Sequence, residues 1–172
     1  MTLWTAQSPE VWQLLEKQGT TAVKKEFIRK KYGDCAWSFL IAYDFMAKKL
    51  AKKILPPEGA ESPVWLFADP KWAGEDARPL EVPEEEILLF DLRKWYRVLS
   101  LSYVGTPKEE ADYDAMLRWQ GIGTSSDIFW TPFYPLQKRQ IMASWDQIFD
   151  LPEDPQYYQA ACWQLKKEWK VK

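Results

Sequence analysis

Eleven tryptophans spread through 172 residues, with no histidine anywhere, constrain this chain more than any other feature. Indole is supplied beyond what packing a chain of this size normally needs, so some of it is free to meet a ligand. The missing imidazole removes the usual general base and the commonest metal ligand, and it excludes Ser-His-Asp and Cys-His catalysis within the chain. Any acid–base chemistry would fall to carboxylates, tyrosine, lysine or cysteine with pKa values shifted by their surroundings.

The length fits one domain over residues 1–172, long enough to bury a single core. Hydrophobic residues make up 47% and charged residues 28%, a globular balance. With a net charge of −2, no global field argues for nucleic acid or a membrane as a partner. Locally the charge is uneven: Lys24 to Lys53 holds nine Lys/Arg against three acids, and Glu58 to Asp91 holds ten acids against Lys71 and Arg78. Solvated faces account for both, and the basic stretch is also a candidate docking face for an acidic protein. Cys35 and Cys162 stand far apart without a C-x-x-C neighbour, so buried free thiols are expected and no metal site is indicated. The first ten residues lack the basic and apolar regions of a signal peptide, and no apolar run approaches a membrane span; a cytoplasmic protein is the expectation.

Along the chain, Leu3 to Gln7 alternates like a short strand, and Ser8-Pro9-Glu10 opens a helix that Gly19 should stop in a left-handed cap. Its apolar stripe is Val11, Trp12, Leu14 and Leu15. Lys24 to Tyr32 reads as a basic surface helix. Asp34 is expected to cap the longest helix, whose buried stripe runs Ala36, Trp37, Leu40, Tyr43, Ala47, Leu50, Ala51 and Ile54. Pro63 to Ala68 reads as a strand largely buried on both faces, and Asp69 to Pro79 as an irregular flap carrying Trp72. Leu80 to Val82 and Ile87 to Phe90 form two strand pieces. Asp91 caps a further helix, Thr106-Pro107-Lys108-Glu109 is a capping box, and Leu136 to Phe149 is another helix. Gly121 to Ser126 reads as a flexible loop that lacks the Lys-Ser/Thr of phosphate cradles. The C-terminal run from Tyr157 alternates like a strand buried on both sides before a basic tail. The fold class is therefore α+β, a short twisted mixed or antiparallel sheet flanked by helices.

Helical stripes claim Trp12, Trp37, Trp95 and Trp145 for the core. Trp4, Trp65, Trp72, Trp130 and Trp163 remain for ligand contact. The candidate site is a cleft between the first, middle and last extended segments, binding a small nucleotide-like or planar ligand. Trp4 and Trp65 would stack, Gln7 and Gln159 would hydrogen-bond, and Asp69 would make a polar contact. Thr5 and Trp163 lie on the same segments, and Tyr43 and Asp44 line the rim.

Six pieces taken in order, LWTAQSPEVWQLLEKQG, FLIAYDFM, PVWLFAD, LEVPEEEILLFD, SWDQIFDL and QAACWQLKKEW, resemble a bacterial family known as domain of unknown function 3841 (DUF3841), over nearly the whole chain. The resemblance implies a fold group and no activity. The opening W-T-x-Q strand followed by a glycine-stopped helix is also similar to compact ADP-ribosyltransferase-like domains, which implies NAD or another nucleotide as ligand. In that comparison Trp4 or Thr5 holds the place of the first-strand His or Arg, and Gln159 or Gln164 the place of the late Glu. Both departures count against transfer chemistry.

Overall fold

The computed structural model describes residues 1–171, which divide into two compact units: Met1–Phe90 with the C-terminal stretch from Pro152 onward, and Asp91–Leu151.

The first unit is built on a five-stranded sheet. Its strands are β1 (Thr2–Thr5), β3 (Val64–Phe67), β4 (Arg78–Glu81), β5 (Leu88–Asp91) and β6 (Tyr158–Cys162), in the order β4-β1-β3-β6-β5. The first, middle and last extended segments thus lie side by side as β1, β3 and β6. The pairings β4–β1, β1–β3 and β3–β6 are antiparallel. A second ladder joins β2 (Thr20–Ala22) to β7 (Gln164–Lys166).

Register sorts the side chains. Residues paired across a ladder share a face and neighbours along a strand alternate, so the sheet has two chemically different sides. One side presents Leu3, Val64, Leu66, Leu80, Ala160 and Cys162, all buried. Helix α1 (Pro9–Gln18) contributes Trp12 and Leu15 to the same cluster, joined by Leu165 and Trp169. Of the expected α1 stripe, Trp12 and Leu15 are buried while Leu14 is exposed. Gly19 stops the helix at φ 80°, the left-handed conformation that a side chain would strain.

The other side presents Trp4, Trp65, Phe67, Gln159 and Ala161, and Phe90 meets the ring of Trp65 at 6.2 Å in an edge-on arrangement. The strand Val64–Phe67 alternates buried and half-buried residues. The sequence suggested burial on both faces, because a run of four large apolar residues hides which face keeps an opening.

Helix α2 (Lys25–Tyr32) buries Ile28 and leaves Phe27 exposed. It leads into the long helix α3 (Ala36–Lys53) through a 3-10 turn, Gly33–Cys35. Asp34 lies inside that turn, and no side chain caps α3. The buried side of α3 is displaced from the expected stripe: Ala36, Tyr43 and Leu50 are buried as expected, Trp37, Leu40, Ala47, Ala51 and Ile54 are only half-buried, and Ala42, Phe45 and Met46 are covered instead. At its end Lys53 turns its ammonium to the Ile87 carbonyl at 2.6 Å and the Glu84 carbonyl at 3.2 Å, tying the helix to the three-glutamate turn. The segment expected to be an irregular flap holds one helical turn, α4 (Pro70–Ala73), packed against β1 and β3. The C-terminal strand breaks at Trp163, and β7 leaves for the second ladder before the 3-10 turn Lys167–Trp169.

The second unit is helical: α5 (Leu92–Leu99), α6 (Pro107–Trp119), α7 (Ser125–Trp130) and α8 (Pro135–Ser144), the last followed by a 3-10 turn, Trp145–Phe149. Asp91 caps α5 by accepting the Arg93 N–H, and the Thr106–Glu109 box caps α6 reciprocally. A second capping box, Thr124 with Asp127, opens α7 within the segment expected to be a flexible loop. The centre of the unit is Trp145, fully buried, stacked on Phe129 and donating its indole N–H to the Ser102 carbonyl at 2.8 Å. Ser144 accepts the Val104 N–H at 2.9 Å, and the Gln147 amide donates to the Val104 carbonyl at 2.8 Å. No helix among the described residues is long and apolar enough to cross a membrane.

Candidate ligand-binding face

Four strands place four residues in one row on the aromatic side of the sheet. Pro79 on β4 pairs with Trp4 on β1, Trp4 with Phe67 on β3, and Phe67 with Gln159 on β6. Directly opposed residues lie with Cβ atoms about 4.5–5.5 Å apart, so each side chain flanks the next. Trp4 and Phe67 are half-buried.

Gln159 is 3% exposed, and its side-chain carbonyl oxygen has no hydrogen-bond partner among the described residues. A buried acceptor left without a donor costs about 1–3 kcal/mol. An amide held there at that cost is a feature to be explained, because leucine would fill the position without the penalty.

One step along the strands the same side becomes a packed aromatic block. Trp65 lies 4.9 Å from Tyr43 of α3 between ring centroids, Tyr43 meets Phe39 at 6.1 Å, and Phe39 stacks on Tyr32 at 3.9 Å. Burial raises the Tyr43 pKa, and its hydrogen bond with Tyr32 raises it further, so the phenol stays protonated at any physiological pH. Tyr43 therefore acts here as a neutral wall.

The remaining expected residues have identifiable tasks. Thr5 is buried and donates to the Trp65 carbonyl at 3.0 Å, while Gln7 donates to the Thr5 hydroxyl at 2.9 Å, a chain that fixes the exit of β1. Asp69 caps α4 through the Lys71 N–H at 2.9 Å and pairs with the Lys71 ammonium at 3.4 Å. Asp44 pairs with Lys25 at 2.7 Å. Trp163 is buried and donates its N–H to the Ile54 carbonyl at 2.7 Å. The structure thus brings Trp4, Trp65 and Gln159 onto one face, with Tyr43 behind Trp65. Asp44 and Trp163 are engaged by Lys25 and Ile54 respectively.

Three further residues gather where β3 ends and β6 begins. The Lys71 ammonium lies 5.1 Å from the Trp72 ring and 5.9 Å from the Tyr157 ring, and it also donates to the Gln156 side chain. The sequence flagged Trp72 alone. Tyr157 and Phe67 escaped notice: the first sits in a turn with no periodicity, and the second was absorbed into a strand read as buried. A period-two comparison of Phe67 with Trp65 would have found it.

A separate cleft of about 220 Å³ occurs in the helical unit, lined by Ser102, Asp114, Leu117, Arg118, Gly123, Thr124 and Ser125. None of the residues expected from the sequence lines it.

A family model described as domain of unknown function (DUF3841) matches residues 2–171. No curated protein and no solved structure matches the chain.

Proposed function

The chain belongs to the DUF3841 family, and from that premise and the geometry of the sheet we propose that the first unit binds a small planar, nucleotide-like ligand on its aromatic face. Trp4 and Phe67 supply flat apolar surfaces for stacking, and Trp65, backed by Tyr43, extends them. The Gln159 carbonyl accepts a hydrogen bond from a ligand N–H, such as an exocyclic amine or a carboxamide. Lys71, at the same end of the sheet, offers positive charge to an anionic group on the ligand. Gln7 and Thr5 hold the exit of β1 in place, and Asp69 holds Lys71. The observation that carries this reading is the orphaned, buried acceptor of Gln159 in the same row as two half-buried aromatic rings.

Two free cysteines, one exposed and one buried, fit a reducing compartment and support the cytoplasm as its location. The resemblance to a bacterial family supports a bacterial source.

A thermal-shift panel of adenosine, AMP and NAD tests the proposal. A specific ligand at 100 times its Kd stabilises the folded state by about 2.7 kcal/mol, a readable rise in midpoint. At least one of the three should raise the midpoint of the wild-type protein and fail to raise that of Gln159→Leu. No shift with any of them, or equal shifts in the variant, contradicts the proposal. Release of nicotinamide from NAD, with the ADP-ribose passed to a protein nucleophile rather than to water, would support the ADP-ribosyltransferase-like alternative instead.

A further inference from the structure

From Phe67 to Pro79 the chain has no buried side chain, although Leu66 before it and Leu80 after it are fully buried. This stretch joins β3 to β4, which both run antiparallel to β1 with β1 between them, so it has to pass over β1. Two observations place it on the aromatic side. The Trp65 carbonyl accepts from Thr5 and so points at β1. For L-residues that direction puts a right-handed crossover, the hand of about 98% of such connections, on the side that Trp65 faces. Gly74 also lies against Ala6, where a Cβ added at 74 would meet the Ala6 Cβ at 3.5 Å. Ala6 follows Thr5, which is buried on the aliphatic side with Leu3, so by alternation it falls on the side of Trp4. Helix α4, packed on β1 and β3, therefore lies across the row that holds Trp4 and Phe67.

Little holds this segment down. Its backbone hydrogen bonds are local, from the Trp72 N–H to the Asp69 carbonyl and from the Ala77 N–H to the Gly74 carbonyl, both at 3.2 Å. The tie to the neighbouring strand is Lys71. Its ammonium donates to the Gln156 side chain at the entry to β6 and lies 5.9 Å from the Tyr157 ring, which Trp72 meets at 6.1 Å between centroids. Asp154 accepts from the Gln156 amide and holds that partner in place. At the other end Gly74 has φ 109° and ψ 168°, a backbone region essentially confined to glycine. A stretch with no buried side chain, local backbone bonds and one polar tie belongs to the low-stability end of a fold, where opening occurs without global unfolding. Leu66 and Leu80 keep its ends in the closed aliphatic side while the middle moves.

We propose that residues 69–77 form a strap that opens and closes over the aromatic side of the sheet, hinged at Gly74 and latched by Lys71 on Gln156 and Tyr157. The inference rests on the reading of that side as a ligand-binding face, since a ligand stacked on Trp4 and Phe67 lies beneath the strap. Closure also completes the site. An ammonium has three donors, of which Gln156 and Asp69 engage two, and the third is left for the anionic group of the ligand.

The test needs no ligand. A single thiol is placed beneath the strap as Phe67→Cys in a Cys35→Ser background, where the buried Cys162 stays silent, and its labelling by a disulfide reagent is timed in increasing urea. Labelling through the open strap exposes far less surface than global unfolding, so its rate should rise only weakly with urea. Lys71→Met keeps the stem and removes the latch, and should speed labelling about 5- to 10-fold. Gly74→Ala strains the closed backbone and should speed it at least about fivefold. Hydrogen exchange of the Trp72 and Ala77 amides, compared between the Lys71→Met variant and the wild type without the Phe67 substitution, should accelerate by the same factor while the Leu66 and Leu80 amides stay unchanged. A labelling rate or an exchange rate indifferent to Lys71→Met overturns the proposal, and so does labelling that climbs with urea as steeply as global unfolding. A strap that opens in a protein whose midpoint adenosine, AMP and NAD leave unmoved would instead locate the failure in the ligand reading.

Discussion

The two sides of the central sheet use the same four strands for opposite purposes. One is aliphatic and closed by α1: Leu3, Leu66, Leu80, Ala160 and Cys162 interlock with Trp12 and Leu15, and the buried indole N–H of Trp169 in the same cluster has no hydrogen-bond partner among the described residues. The other is aromatic, half-open at Trp4 and Phe67, and retains an amide oxygen with no hydrogen-bond partner among the described residues. Packing alone favours the first arrangement, since a closed, close-packed core buries more apolar surface than a half-open one. The difference teaches that the aromatic side is shaped by something besides stability.

Substitutions on the two sides should separate these roles. The largest effect belongs to Leu66→Ala on the aliphatic side, which removes a fully buried side chain and should cost about 2–5 kcal/mol in chemical denaturation. Trp4→Ala, in spite of its greater volume, should cost only about 1–2 kcal/mol, because the ring is half-buried. A Trp4 variant as destabilised as the Leu66 variant would erase the comparison. Gln159→Leu should leave stability unchanged or raise it by about 1 kcal/mol, since it deletes an orphaned acceptor. A clear loss would mean the amide is structural.

The aliphatic side also makes a pH prediction. Burial pushes the Cys162 thiol up to about 12 from an ordinary 9.0, so the folded state holds a proton that the unfolded state releases. Its contribution is complete below pH 9 and is lost as pH rises towards about 12. Wild-type stability should therefore fall more steeply than that of Cys162→Ala across this window. At neutral pH a thiol reagent should label the exposed Cys35 and spare Cys162 until the protein unfolds. The smallest effect lies at the acid end. Lys170 and Lys167 hold the Glu16 carboxyl down to about 2, so the contribution of that exposed cluster is present above about pH 4.5 and fades as pH drops towards 2. Glu16→Gln should flatten the acid limb of the stability profile slightly and leave neutral pH almost untouched.

Much of the scaffold was legible in the sequence because local chemistry determined it. Gly19 had to end α1, Asp91 and Thr106 had to begin helices, the segments that now form β1 and β6 carried their own alternation, and the apolar run that forms β3 read as a strand. What could not be read depended on tertiary context. Phe67 and Trp65 looked buried on both sides because a short apolar run does not reveal its open face. Asp34 looked like a helix cap, but the chain tightened into a 3-10 turn around it. The break at Trp163 was invisible because the indole that ends β6 finds its acceptor, Ile54, more than a hundred residues away. Gln159 was legible as a polar residue in an apolar strand. That its oxygen goes unpaired became visible only once the neighbours were placed.

The sharpest test of the aromatic face is a calorimetric titration with whichever of adenosine, AMP and NAD stabilises the protein most, run on the wild type and on Gln159→Leu. The account predicts at least a fivefold weaker affinity in the variant, about the 1 kcal/mol of one lost hydrogen bond, with folding intact. Identical affinities would show that the buried amide takes no part in binding, and would contradict the claim that this side of the sheet is built for a ligand.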